Sequence, residues 1–269
     1  MKSTGNSAAF YRAGQLHRQL LRASAADLTW RDRAVRALRD PVAILKGTAT
    51  QRVVRSRDPA QDGLLFKFYC DRGLLARWRP SRARRAWAAA RTAQTLGVPV
   101  VEVVGFVERE PALAPFSSCL IMREVRGSLT LREWIRKNHR SLESTQWEHW
   151  RMTIWQHWLS LSRCGVYHDD TKALNILLAA GPDSGEWRPV WIDPESMHPG
   201  RRPGQREVVR NLVQLNGSLR SWVPEQVRLD FLRDAAREFP FLARPGMETR
   251  IRVWTRRRLL HEKETRCGP

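Results

Sequence analysis

Apolar positions recur along this chain with two periods, and the switches between them divide it. In residues 1–40 Phe10, Leu16, Leu20 and Leu21 fall at helical intervals, with Arg12, His17, Arg18 and Arg22 between them. A second basic helical segment, Trp30 to Arg39, follows Asp27. From Pro41 the pattern shortens to strands: Val42–Lys46 leading into Gly47, then Gln51–Arg55, a turn from Asp58-Pro59 to Asp62-Gly63, and Leu64–Cys70. Arg77 to Leu96 predicts an Arg- and Ala-rich helix, stopped by Gly97-Val98-Pro99. Val100–Val107 and Ser118–Val125 predict two more strands, after which helices dominate: Leu129–Lys137, Trp147–Arg163, Val208–Leu215, Pro224–Glu238 and a basic tail from Arg250. Trp147, Trp150, Ile154, Trp158 and Leu161 form one stripe at three- and four-residue steps, which reads as the core of a helical lobe.

Composition narrows the class. With 269 residues, 42% hydrophobic and 28% charged, the chain can build a substantial core, and global disorder is excluded. No apolar run is long enough to span a bilayer, and the first residues lack a secretory apolar segment. Cys70, Cys119, Cys164 and Cys267 are widely spaced and read as reduced thiols, not a zinc site. Charge is the sharper clue: 47 Lys and Arg against 27 Asp and Glu give a net +20. Such a chain is drawn to polyanions, whether nucleic acid, an anionic membrane face or a phosphorylated substrate. No finger, stacking signature or basic–aromatic alternation supports specific nucleic-acid binding. The basic arm of residues 1–40 can lie on a membrane surface or pack on the body of the domain.

The chemistry concentrates in Gly165-Val166-Tyr167-His168-Asp169-Asp170-Thr171-Lys172-Ala173-Leu174-Asn175, followed by the apolar Ile176-Leu177-Leu178. His-x-Asp-x-Lys-x-x-Asn running into a strand is the layout of a kinase catalytic loop. Phosphoryl transfer needs a carboxylate to orient the acceptor hydroxyl and an oxygen ligand nearby for Mg²⁺. Asp170 and Asn175 fit those roles, with Lys172 between them to neutralise the transferring phosphoryl. A Gly/Pro/Asp/Ser turn over Ala179–Trp187 leads to a second short strand ending in Ile192-Asp193, where Asp193 is the expected main metal ligand. In this frame Lys67, a single cation amid Phe66, Phe68 and Tyr69, is the α/β-phosphate ligand. Gly47 lies in the hairpin over the phosphates. Backbone groups of Glu124 to Arg126 form the hinge that meets an adenine edge, before the linker Arg126-Gly127-Ser128.

Three features depart from that frame. Between Arg72 and Val101 there is no Glu to pair with Lys67; Glu102 and Glu124 are poor substitutes. Pro194 follows the metal Asp, and Glu195 after it reads as a surface carboxylate, the alternative being a further metal or acceptor contact. Only one glycine, Gly47, stands in the nucleotide hairpin. His198 to Arg206 is a polar loop with four Arg or His residues, and no long activation segment follows.

From about Ile44 to Ala236 the chain resembles the bacterial lipopolysaccharide core kinases, which phosphorylate heptose or Kdo. The resemblance rests on Phe66-Lys67-Phe68-Tyr69, on Ser81-Arg82-Ala83-Arg84-Arg85-Ala86-Trp87 with Leu96-Gly97-Val98-Pro99, on the catalytic loop and Ile192-Asp193, and on Asn211-Leu212-x-x-Leu215-Asn216. It implies an α+β, bilobal protein-kinase-like fold, with a small β-rich N-lobe over residues 41–126 and a mostly helical C-lobe over 127–269. It also implies ATP with Mg²⁺, an anionic glycolipid acceptor, and a peripheral place on the cytoplasmic face of the inner membrane. Asp170 is then the catalytic base, Asn175 and Asp193 metal ligands, Lys67 the ATP ligand and Lys172 a phosphate-neutralising group. The competing readings are a catalytically weak pseudokinase serving as a basic membrane-associated scaffold, and a protein kinase.

Overall fold

The computed structural model describes residues 3–22, 28–57, 62–71, 78–108, 111–181 and 186–264. The expected turn at Asp58-Pro59, the start of the Arg/Ala helix at Arg77, the middle of the turn between Ala179 and Trp187, and Cys267 lie outside them. The chain divides into two compact units, one of residues 1–127 with 163–167 and 191–201, the other of 128–162, 168–190 and 202–269.

The first unit is built on a five-stranded antiparallel sheet. Its strands are β1 (Pro41–Gly47), β2 (Gln51–Ser56), β3 (Leu64–Tyr69), β4 (Val103–Glu108) and β5 (Ser118–Arg123), in the order β1-β2-β3-β5-β4. Alternation along β3 explains its burial. Phe66 and Phe68 join Val54, Leu64, Phe116, Cys119 and Ile121 in a core closed by Ala34 and Ala37 of α2 (Leu28–Arg39). Side chains two apart share a face of a strand, so Lys67 and Tyr69 point to the opposite side. That side is covered by α3 (Arg82–Thr95), whose Ala83, Ala86, Ala88, Ala89, Ala90 and Ala93 are small enough to let the helix lie close. Ser81 caps α3 by accepting the Arg84 N–H at 3.1 Å, and Gly97 closes it with a positive φ of 80°.

The arm is two helices, α1 (Ser3–Arg22) and α2, and both pack on this unit. Phe10 and Ala13 are buried, so the apolar stripe of α1 is directed at the protein. Its seat is made of glycine. A Cβ on Gly200 would lie 2.3 Å from the Gly14 Cα, and one on Gly165 would lie 2.4 Å from the Ala9 carbonyl carbon. Both glycines also have positive φ, 79° and 70°.

Helices make up most of the second unit: α4 (Leu131–Asn138), α5 (Ser144–Arg163), α6 (Gln205–Leu219), α7 (Glu225–Glu238) and α8 (Met247–Glu264). A small sheet joins β6 (Leu129–Thr130), β7 (Ile176–Ala180) and β8 (Trp187–Trp191). The predicted Leu129 start of the helix is instead a strand pair, because Thr130 and Glu133 form a reciprocal capping box that starts α4 two residues later. The stripe of α5 is core as expected, with Trp155 and Trp158 stacked at 5.5 Å and Phe231 edge-on to Trp155 at 5.4 Å. Beneath α7, Arg151 forms a buried ion pair with Asp234. Among the described residues, no helix is long and apolar enough to cross a membrane.

Candidate active site

In the first unit the site is built around Lys67, whose side chain is only 4% exposed. A buried ammonium needs compensating charge. It finds two carboxylates, Asp193 in direct contact and Glu195 Oε1 at 2.5 Å. Tyr69, two residues along the same face of β3, donates its hydroxyl to Glu195 Oε2 at 3.1 Å. Burial, then the charges of Glu195 and Asp193, push the Tyr69 phenol well above its usual pKa, so it is a fixed donor.

Backbone geometry brings the two acids there. Trp191 makes a parallel bridge to Val100, its N–H donating to the Pro99 carbonyl and its carbonyl accepting from Val101. Two residues on, Asp193 adopts the left-handed conformation (φ 67°, ψ 55°), the one non-glycine residue among those described with positive φ. Pro194 then opens a single 3₁₀ turn to Ser196, closed by Ser196 N–H to the Asp193 carbonyl at 3.0 Å. That sharp reversal places Asp193 and Glu195 on the same ammonium. Strained backbone at an acidic residue is the kind of feature that persists where a site requires it.

This answers the question left by the helix without a glutamate. Glu195 is not a surface carboxylate; it is 14% exposed and holds Lys67. Neither Glu102 nor Glu124 takes that part, since Glu102 pairs with Arg123 and Glu124 with Arg55. At the expected hinge the Glu124 N–H donates to the Gly63 carbonyl at 2.7 Å and is therefore already committed within the protein. At Gly47 φ is not positive, and an added Cβ would meet only Ile44 at 3.6 Å, so nothing in the backbone demands glycine there. Thr48 shapes the β1–β2 turn, accepting the Gln51 N–H on its hydroxyl at 3.0 Å.

In the second unit Asp170, Lys172 and Asn175 form one network. Lys172 Nζ lies 3.1 Å from Asp170 Oδ1, while Asn175 Nδ2 donates to Asp170 Oδ2 at 3.0 Å and to its carbonyl at 2.8 Å. The Asn175 amide nitrogen is thus committed to Asp170, and Oδ1 is the acceptor atom of the same amide. The Asp170 N–H donates to His168 Nδ1 at 3.1 Å, which places the His168 proton on Nε2.

The loop carrying these groups is clamped by α6. Asn211 donates to the His168 carbonyl at 2.8 Å and Gln214 to the Asp169 carbonyl at 3.1 Å. Gln214 Oε1 also accepts the Thr171 N–H at 3.0 Å, and Ser218 accepts the Ala173 N–H at 3.0 Å. Positions 211, 214 and 218 share one helix face. Sequence reasoning picked out Asn211 only as part of a motif and missed Gln214 and Ser218. The available signal was amides at positions 211 and 214, on the side of α6 that packs inward.

A family model described as the lipopolysaccharide kinase (Kdo/WaaP) family matches residues 65–233, well over half of the chain. The chain belongs to this family. It is therefore an ATP-dependent phosphotransferase of the lipopolysaccharide kinase class, and the matched span contains Lys67, Asp170, Lys172, Asn175, Asp193 and Glu195. Among solved structures it is similar to "WaaP in complex with acyl carrier protein", with a TM-score of 0.64 at 19% identity over 85% of this chain and 91% of that one. That likeness bears on the fold, which is the bilobal protein-kinase-like architecture expected. No curated protein matches the sequence.

Proposed function

We propose that this protein transfers the γ-phosphoryl of ATP, with Mg²⁺, to a sugar hydroxyl of the lipopolysaccharide inner core, a heptose or Kdo, or of a related glycolipid. The observation that carries the reading is the buried Lys67 ammonium bound by Asp193 and Glu195. An ammonium held rigidly by two acids is presented for phosphate oxygens, and costs little reorganisation when they arrive. The donor set suits magnesium, which takes hard oxygen ligands and uses one or two protein groups beside the substrate's phosphates. Asp193 supplies a carboxylate and Asn175 an amide oxygen, and these two would hold the metal. When bound, it neutralises charge on the phosphate oxygens.

The chain's own residues do the rest. Lys67 binds the phosphates, while Glu195 and Tyr69 keep its side chain in place. Asp170 orients the acceptor hydroxyl and accepts its proton. Lys172, 3.1 Å from Asp170, offsets negative charge at the transferring group. Asn211, Gln214 and Ser218 hold the loop so that Asp170 does not have to be ordered at each turnover. A net charge of +20 supports an anionic, phosphate-bearing acceptor and a peripheral place on the cytoplasmic face of the inner membrane. Retention of Asp170, Lys172, Asn175 and Asp193 argues for an active kinase over a scaffold. The test is ATP turnover with Mg²⁺ in the presence of inner-core lipopolysaccharide, comparing the wild type with Asp193→Asn. Acceptor-dependent transfer lost in the variant supports the assignment; equal transfer by both overturns it.

A further inference from the structure

The Arg-rich start of α3 and the basic stretch after Glu195 have no part in the reaction as described, yet they meet at a pocket. It has a volume of about 330 Å³ and is lined by His17 of α1, Arg82 and Arg85 of α3, and Glu195, Ser196, Met197 and His198. That volume lies at the lower end of the roughly 300–1,000 Å³ typical of small-ligand sites.

We propose that this pocket is a binding site for a phosphate monoester. The Arg82 and Arg85 guanidiniums, with His198 and a largely neutral His17, face one carboxylate. Glu195 shares the single Lys67 charge with Asp193 and accepts the Tyr69 hydroxyl, so those acids and Lys67 together carry one negative charge. The two guanidiniums exceed it, and the walls carry a net positive charge. Two guanidiniums suit the several oxygens of a phosphate better than the two of a carboxylate. The groups are also pre-positioned. Arg82 lies over the Tyr69 ring at 4.9 Å, and His198 is stacked on Tyr167 at 5.8 Å. His17 hydrogen-bonds the Ala88 carbonyl through one ring nitrogen, and its Nδ1 is buried with no partner among the described residues, an acceptor that the P–OH of a singly protonated phosphate can satisfy. Burial and then the nearby His198 hold His17 below its usual pKa; a bound anion would offset the second effect. Because Glu195 is a wall of this pocket and also a ligand of Lys67, occupancy is linked to the nucleotide-binding lysine.

The experiment is calorimetric titration of the full-length protein with inorganic phosphate, glycerol 3-phosphate and acetate, at fixed ionic strength. The nucleotide site is filled beforehand with a non-hydrolysable ATP analogue and Mg²⁺. It needs no acceptor and no turnover, so it stands apart from the kinase assignment. Arg85→Gln changes an exposed residue and tests the pocket without threatening the fold, and Arg82→Gln is the second variant. Arg91→Gln, exposed on the same helix but outside the pocket, controls for bulk charge. The expected result is binding of both phosphates over acetate, at least tenfold weaker in Arg85→Gln and Arg82→Gln and unchanged in Arg91→Gln. Glycerol 3-phosphate binding at least tenfold tighter than inorganic phosphate identifies an ester carried on a larger molecule such as a lipid-linked sugar; equal affinities would overturn the monoester assignment in favour of free phosphate. Absence of binding at about 10 mM, equal binding of acetate, or equal weakening in all three variants would overturn the proposal.

Discussion

Glu195 accepts the Lys67 ammonium at 2.5 Å, from a 3₁₀ turn and not from a helix. The acid and Asp193 are thus two residues apart on one strained turn, and both depend on the same backbone. Changing one displaces the other, so their effects on nucleotide binding will not be additive.

Glu195→Gln keeps the side-chain volume and removes one of the two charges on Lys67. The KM for ATP should rise about tenfold, equivalent to about 1.4 kcal/mol, with the acceptor KM unchanged. Lys67→Met leaves two acids facing each other without a cation. It should reduce kcat/KM by about a hundredfold or more, or about 3 kcal/mol of transition-state stabilisation. Steady-state kinetics in both substrates checks the split.

Gln214→Ala removes one side chain that serves both the Thr171 N–H and the Asp169 carbonyl. Leaving buried backbone groups unpaired costs about 1–3 kcal/mol. The melting temperature should fall by about 2–4 °C for each kcal/mol, and kcat should fall while the KM for ATP holds. Asn211→Ala should act in the same direction through the His168 carbonyl.

His157 is 5% exposed on α5, and burial, with His168 nearby, lowers its pKa to about 3. It is neutral in the folded protein at pH values where the unfolded chain already binds a proton. Stability is therefore unaffected above pH 6.5 and declines as pH falls from 6.5 towards 3, by up to roughly 5 kcal/mol. In chemical denaturation from pH 7 to pH 4, His157→Gln should show a shallower loss than the wild type.

Gly200→Ala would place a Cβ 2.3 Å from the Gly14 Cα at a φ of 79°, whereas Gly14→Ala would meet Gly200 at 3.3 Å with only a small adjustment. The first should unseat α1 and the second should not. Hydrogen exchange over residues 8–20 should rise sharply in Gly200→Ala and little in Gly14→Ala, with the melting temperature following the same order.

Most of the fold was legible because its periods are clean. The alternating Phe66-Lys67-Phe68-Tyr69, the α5 tryptophan stripe and the Gly97 stop each announce one element. The grouping of Asp170, Lys172 and Asn175 was legible too, since they lie within five residues of one another. Glu195 was not, because its partner is 128 residues away and its direction depends on the left-handed turn at Asp193. Only glycine announces such a turn in sequence, and here an aspartate makes it. The clamp from Gln214 and Ser218 was hidden for a similar reason: polar residues on a helix read as solvent-facing until packing shows what lies against them. The arm left two readings open, and the burial of Phe10 and Ala13 places its apolar stripe on the protein.

The most direct test is transfer of labelled γ-phosphate from ATP to purified inner-core lipopolysaccharide by the wild type and by Asp170→Asn, with and without Mg²⁺. The account predicts Mg²⁺- and acceptor-dependent labelling of a core sugar that falls by at least about a thousandfold in the variant, consistent with loss of the catalytic base. Labelling that persists in Asp170→Asn, or that needs no Mg²⁺, would contradict it.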